Sequence, residues 1–292
     1  MYRKFRLENG KGTIYNLTDQ NFKVYGNKPQ GLGYTRTMST LRLGDSELQL
    51  YQMFNLDDIS FEMLFYDDKL SDKYQKYEEF IRFLSYKHLY IQYQRPNSFD
   101  WYRRRVESMS LSKSEVEYKD RMLHCPFTLH CMTFWEDNEI NEKIVDNATT
   151  DGKIYPITYP FKYSGASLSN IKMISKGMLE TPIEIIIDGT VTDPQYILYD
   201  DNENIYGRGK FIGTFDKVYV NSEDTQEEVG LTYNDLLLPN PLSYQDLTIG
   251  SPNEIFITFL KLKAGTNYLR FIVDNAFDGT VKVRWRNRYV SI

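Results

Sequence analysis

Lys28-Pro29-Gln30-Gly31-Leu32-Gly33-Tyr34-Thr35-Arg36 opens, and His124-Cys125-Pro126-Phe127-Thr128-Leu129-His130-Cys131-Met132-Thr133-Phe134-Trp135 closes, the part of the chain that decides its fold. Between Phe22 and Trp135 the pattern is that of one β unit interwoven around a single helix. In the closing segment Cys125, Phe127, Leu129 and Cys131 share one strand face, and His124, Thr128 and His130 share the other. Six strand residues span roughly 20 Å, so the two cysteines are beyond disulfide reach and beyond a common metal. Buried thiols with outward histidines are expected, in keeping with synthesis in a reducing cytosol.

Working outward, β segments are expected near Phe5–Leu7, Thr13–Leu17, Met38–Leu43, Ser60–Phe65, Leu89–Tyr93, Tyr102–Leu111, Glu115–Tyr118 and Leu123–Thr133. Turn residues separate them: Asn9-Gly10, Gly26-Asn27, Gly31-Leu32-Gly33, Gly44-Asp45 and Arg95-Pro96-Asn97. One stretch breaks the rhythm. From Ser71 to Tyr86, Tyr74, Tyr77, Phe80, Ile81 and Leu84 follow helical spacing, with Ser71 as the expected N-cap. Lys73, Lys76, Glu79 and Arg82 would form the solvated face of a helix lying on a sheet.

Glu136 to Lys153 is polar and acid-rich and is expected to be the hinge between two domains, 1–145 and 146–292. Beyond it the expected strands are short and evenly punctuated: Thr158–Phe161, Ser169–Met173, Ile183–Asp188, Tyr196–Tyr199, Lys210–Phe215, Lys217–Val220, Ile255–Leu260, Leu269–Val273 and Val281–Tyr289. Clean alternation at Ile183, Ile185 and Ile187, and again at Val281, Val283 and Trp285, predicts a β-sandwich or jelly roll. No internal repeat links the halves. The stretch Tyr233 to Pro252 is expected to be a long loop whose leucines either cover the sandwich or meet a partner.

Composition narrows the function classes. The 292 residues suffice for two packed domains, with 41% hydrophobic residues. Aromatics reach 15%, including 24 Tyr; such density suits sheet faces and also interfaces. A net charge of −5 without a basic half counts against general nucleic-acid or anionic-membrane binding. Met1–Arg6 leads into polar sequence and lacks the apolar core of a secretory signal. No run is long enough to cross a bilayer as a helix.

Chemistry is sparse. Three histidines leave little for a catalytic triad or metal centre, and no Gly-x-Ser-x-Gly occurs. Gly207-Arg208-Gly209 reads as a hairpin turn between strands. The doublets Asp57-Asp58, Asp67-Asp68, Asp200-Asp201 and Glu227-Glu228 fall in turns, and adjacent strand residues face opposite ways, a poor template for a glycosidase pair. No enzyme, cofactor or metal site is expected. The one basic cluster is Arg103-Arg104-Arg105, preceded by Trp101 and Tyr102. Alternation puts Arg103 and Arg105 on one face and Arg104 on the other, and structural or inter-subunit pairing with Glu107, Glu115 or Glu117 fits better than nucleic-acid contact.

A resemblance joins these pieces. Phe5-Arg6-Leu7-Glu8-Asn9-Gly10-Lys11-Gly12, the Pro29-x-Gly31-Leu32-Gly33 turn, the Tyr74-to-Leu84 helix and the Cys125-Pro126-Phe127 strand ending at Phe134-Trp135 resemble the distal tail protein (Dit) family of siphophages. So do Pro182-Ile183-Glu184-Ile185, Asp188-Gly189 and Leu262-Lys263-Ala264-Gly265-Thr266-Asn267-Tyr268-Leu269-Arg270-Phe271. The resemblance implies a mainly β protein: an N-terminal belt domain (1–145) with one packed helix, and a C-terminal galectin-like β-sandwich (146–292). It also implies a virion protein at the distal end of the tail, assembled in the bacterial cytoplasm. Six copies would close a ring, the hub of the baseplate, with the sandwiches outside. Implied partners are the major tail protein, the tape-measure protein, the tail-associated tip protein and in some relatives a receptor-binding protein. Asn221 to Pro252 is the candidate insertion, large enough only for a small arm.

Ring contacts are expected in Pro29, Gly31, Gly33, Tyr34 and Arg36, and around Trp101, Arg103, Arg104 and Arg105. Heterologous ring closure needs two complementary patches per subunit, and strand addition across subunits would cap open edges. The alternative is a carbohydrate-binding module that attaches the tail to host cell-wall polysaccharide. Its natural platform is Trp285, whose parity with Val281 and Val283 points it inward. A tail-associated hydrolase is the third and weakest class.

Overall fold

The computed structural model describes residues 3–18, 24–43, 45–113, 122–146, 166–224, 228–233, 236–237, 256–257, 259–273, 277 and 279–292. The chain divides into two compact units, Met1–Glu139 together with Arg288–Ile292, and Ile140–Asn287. The expected strands Glu115–Tyr118 and Thr158–Phe161, and most of the Tyr233–Pro252 stretch, lie outside the described residues.

In the first unit the elements follow as β1 (Lys4–Glu8), β2 (Ile14–Asn16), β3 (Val24–Gln30), β4 (Arg36–Leu43), β5 (Ser46–Phe54), β6 (Ile59–Phe65), α1 (Leu70–Leu84), β7 (Leu89–Gln94), β8 (Trp101–Leu111), β9 (Leu123–Cys131) and β10 (Trp135–Asp137). The main sheet has the order β2-β1-β7-β8-β9-β6-β3, with every pair antiparallel. Its alternation is the one read from sequence: β6 and β9 bury every second residue, Cys125 and Cys131 included. Burial also pushes the Cys131 thiol up to about 11, so it stays protonated and inert.

The helix covers the apolar face through aromatic rings. Phe80 meets Phe127 edge-on at 5.2 Å, and Tyr15 lies 4.9 Å from Phe80 and 5.4 Å from Phe83. The buried stripe is Lys73, Tyr77, Phe80 and Phe83, which differs from the sequence expectation in three ways, the first being that Phe83 belongs to it. Ile81 is exposed and Lys73 is buried, because the sheet meets the helix along the line through Tyr77 and Phe80; a lysine's aliphatic stem is compatible with such a position. Ser71 lies inside the first turn and its hydroxyl donates to Asp72, while Lys69 occupies the N-cap position without a side-chain cap.

The second unit comprises β11 (Asn141–Asp146), β12 (Ala166–Ser175), β13 (Thr181–Thr192), β14 (Gln195–Asp200), β15 (Ile205–Lys210), β16 (Thr214–Asn221), β17 (Glu228–Tyr233), β18 (Leu236–Leu237), β19 (Phe256–Ile257), β20 (Lys261–Leu262), β21 (Gly265–Val273) and β22 (Thr280–Trp285). These form two sheets, β11-β22-β13-β16-β17-β18 and β12-β21-β14-β15-β19. Ile183, Ile185, Ile187, Val281 and Val283 of one sheet share a core with Met173, Leu198, Leu269 and Phe271 of the other. That is a β-sandwich. Trp285 belongs to this core at 6% exposure, so it offers no platform to a sugar.

Three boundaries differ from expectation. Glu136 to Lys153 is not simply a polar connector: β10 joins the first sheet, and β11 pairs along β22. Val281–Tyr289 is not one strand; after β22 the chain returns as β23 (Arg288–Tyr289) to pair with β10 in the first unit. Lys210–Phe215 is interrupted by Gly213 at φ +127°, and the Gly207-Arg208-Gly209 segment is mid-strand rather than a turn. A Cβ on Gly209 would lie 2.1 Å from the Tyr196 ring carbon, so the small residue there makes room for a buried aromatic.

Candidate assembly surface

The β4–β5 hairpin pairs with no other described strand. It runs for eight registered pairs, Arg36↔Phe54 through Leu43↔Ser46, with a bulge where Ser39↔Tyr51 gives way to Thr40↔Gln49, making Leu50 the extra residue. The bulge decides which side chains share a face. Without it Leu48 and Tyr51 would point in opposite directions; with it the pairs Thr37↔Met53, Ser39↔Tyr51 and Leu41↔Leu48 fall together. The result is an apolar face of Leu41, Leu48, Tyr51 and Met53, each about half exposed, with the Tyr51 hydroxyl against the Met53 sulfur. Met38 and Leu50 are more exposed still. Two free edges and an uncovered apolar face are what a soluble chain ordinarily avoids.

The hairpin's neck, by contrast, is tied down. Asn55 N–H donates to the Thr35 carbonyl, Asn55 Nδ2 to Thr35 Oγ1 at 2.9 Å, and the Thr35 hydroxyl to Asp57 at 2.7 Å. Tyr34 packs edge-on to Phe54 at 5.5 Å, and the Arg36 guanidinium lies 4.5 Å over the Phe54 ring. Pro29 lies beside the register shift of β3. Gly31 sits at φ +77°, and a Cβ there would come 1.9 Å from the Asp58 carbonyl oxygen. Gly33, two residues on, has open space around it. Of the sequence-predicted residues, Gly31 therefore shapes the neck, whereas Gly33, Tyr34 and Arg36 stand at its surface.

The second predicted patch is one row of the main sheet. Register aligns Arg6, Gln92, Arg103 and Glu136 across β1, β7, β8 and β10. Arg6 donates to Gln92 and stacks 3.9 Å over Trp101; Gln92 donates to Glu8; Arg103 Nε donates to Glu136 at 3.1 Å and its guanidinium covers Tyr90. The alternation of the arginine triplet is as read from sequence. Arg104 points inward at 2% exposure, where its Nε donates to the Thr133 carbonyl at 2.5 Å and its guanidinium approaches Trp135. Burial lowers its pKa from the ordinary arginine value. Arg105 approaches His88 Nδ1 at 3.4 Å and lines an open hollow of about 390 Å³ with Leu84 and Glu107. The partner of Arg103 is thus Glu136, on a strand the sequence pattern did not mark, rather than Glu107.

Among the described residues no three His, Cys, Asp or Glu side chains cluster as metal ligands, and no helix is long and apolar enough to cross a membrane. His124 and His130 instead bond Glu62 and Asp58 at the sheet surface.

The family model of the distal tail protein N-terminal domain matches residues 4–132. That likeness covers most of the first unit. The fold agrees over its whole length. A chain of the phage P2 baseplate in its activated conformation with calcium superposes with a TM-score of 0.62 at 16% identity, covering 100% of both chains; the strontium form gives the same values. The SPP1 Dit protein, described as a paradigm of hub adsorption apparatus in Gram-positive infecting phages, superposes with a TM-score of 0.60 at 12% identity, covering 96% of this chain and 98% of that one. No curated protein matches the chain by sequence. At these identities the likeness to the solved structures is one of fold. The hairpin that sequence reasoning did not single out falls inside the matched region.

Proposed function

We propose that this chain is a distal tail protein, a structural component of the phage baseplate at the distal end of the tail, that it works as a closed ring of six copies, the hub that joins the tail tube to the tip, and that it carries out no catalysis. Its N-terminal part (1–145) is the belt domain that forms the ring, and the remainder (146–292) is a galectin-like sandwich on the outside. The observation that carries this proposal is the β4–β5 hairpin, built to be covered and left uncovered in a single chain. A neighbouring copy would bury Leu41, Leu48, Tyr51 and Met53 and pair with a free hairpin edge. Burying side chains already half covered contributes roughly 1 kcal/mol each, enough in six repeated contacts to hold a ring. The rigid Trp101–Arg103 row is the second, complementary patch. The major tail protein, tape-measure protein and tip protein are the partners on the ring's faces and in its lumen, and a receptor-binding protein is a partner of the outer sandwich.

Native mass spectrometry with negative-stain imaging tests the proposal. The expected species is annular, with six times the chain mass of 34.6 kDa, and Leu41→Glu combined with Leu48→Glu reduces it to a folded monomer. A ring that survives this double substitution, or a wild-type chain that stays monomeric at every concentration, would count against it.

A further inference from the structure

The five-stranded sheet of the second unit has a face turned away from the sandwich core, and its charge is unlike that of the chain. Register sets Arg270, Ile197 and Arg208 side by side across β21, β14 and β15, with Lys172, Tyr268 and Tyr199 in the next row. Lys210 stands in the row on the other side of the arginines, beside Gln195 and Ile272. Lys172, Arg208 and Arg270 are exposed. With strands about 4.8 Å apart, the two arginine positions are roughly 10 Å from each other. The whole chain carries −5; of the acids in the turn after β14, Asp200 is taken up by the backbone N–H groups of Asn202 and Asn204, and Asp201 accepts from the Tyr268 hydroxyl at the edge of this face.

The same face is ordered by aromatic packing. Tyr199 and Tyr268 stack at 5.4 Å and 15°, and the Arg270 guanidinium lies 5.4 Å from the Tyr199 ring centre while its Nε donates to Asn170 at 3.2 Å. Arg270 is thereby held in place beside a tyrosine.

We propose that this sheet face binds a phosphodiester-linked glycan, a polymer of sugar or polyol units joined by phosphate. A cationic array on an acidic chain selects a polyanion, and guanidinium forks match phosphate oxygens in two-point contacts. The partly exposed Tyr268 ring, its hydroxyl held by Asp201, offers an apolar surface to the sugar or polyol carbons. A protein partner fits less well, since interfaces are depleted of lysine and here Lys172 and Lys210 stand in the rows on either side of the arginines. Single-stranded nucleic acid fits less well too: it needs open ring faces for its bases, and Tyr199 is only 8% exposed. The proposal concerns the second unit alone and does not depend on ring formation, so the two fail separately.

Calorimetric titration of the full chain with poly(glycerol phosphate) tests it, with hyaluronate, dextran and an oligothymidylate as comparison ligands. Saturable binding that weakens with added salt is expected, at least ten-fold tighter than to hyaluronate or oligothymidylate and undetectable with dextran. Arg208→Ala with Arg270→Ala, and separately Tyr268→Ala, should each weaken it at least ten-fold; the fully outward Lys172→Glu serves as a third variant where the others fold poorly. Absence of binding, unchanged binding in folded variants, or equal affinity for the carboxylate polymer or the oligonucleotide would overturn the proposal.

Discussion

Two strand pairs of the first unit, β6 with β9 and β4 with β5, are both antiparallel, and each presents an apolar row along one face. The first pair buries every second residue beneath α1, down to 0% for Met63, Phe65, Phe127 and Leu129. The second buries nothing. The difference is not in the strands but in what faces them: α1 and β1 cover one pair, and no described element of the same chain covers the other. An isolated two-stranded hairpin is marginal in water, so on the proposed account this one is held by its neck and by a neighbouring copy.

The comparison can be broken first where it predicts the widest gap. Phe127→Ala should cost about 3–5 kcal/mol in urea unfolding, and Tyr51→Ala in the hairpin less than about 0.5 kcal/mol in the dissociated chain. Similar losses at both positions would mean that the hairpin is packed after all. The neck gives the next contrast. Gly31→Val forces a β-branched residue into a left-handed conformation against the Asp58 carbonyl and should cost about 3 kcal/mol or more. Gly33→Trp, placed in open space, should leave the midpoint unmoved and report only on assembly. Next come the arginines. Arg104→Ala strands the Thr133 carbonyl and opens space beside Trp135, for about 2–3 kcal/mol. Arg103→Ala removes one partly exposed ion pair and should cost about 1 kcal/mol or less.

The smallest effect is electrostatic. Glu62 on β6 is held below its ordinary pKa chiefly by its hydrogen bond from Lys28, with His124 adding to it. A depressed carboxylate pKa contributes stability that is full above the unfolded value near 4.5 and is lost as pH falls through the folded value. Glu62→Gln should therefore flatten the decline of Tm below about pH 4.5, while a change confined to pH above 6 would contradict the assignment.

How much of this was legible in the sequence depended on whether a strand had a core to face. The alternation of Leu123–Cys131 gave the correct inward set because burial and period coincide there. That Arg104 faces away from Arg103 and Arg105 followed from the same parity, though not that its side is the buried one. The strand Ser46–Phe54 went unrecognised although Leu48 and Leu50 alternate. The bulge at Leu50 breaks the period, and polar residues between the apolar ones look like a solvated loop where no described element of the same chain supplies a core. Val24–Gln30 was hidden by Gly26, Lys28 and Pro29, whose turn chemistry serves a bulged strand here. Ile205–Lys210 was hidden by two glycines whose reason, room for Tyr196 and Leu260, lies on other segments. The return of Arg288–Tyr289 to the first unit is a long-range pairing that no local pattern announces.

Amide hydrogen exchange, compared between assembled and dissociated protein, tests the central claim most directly. If neighbouring copies cover the hairpin, amides of Arg36–Leu43 or Ser46–Phe54 that face outward should exchange rapidly in the dissociated chain and at least a hundred-fold more slowly in the ring, while amides of β6 and β9 are protected in both. Hairpin amides that exchange at the same rate in both states would show that the ring, where it forms, is held elsewhere.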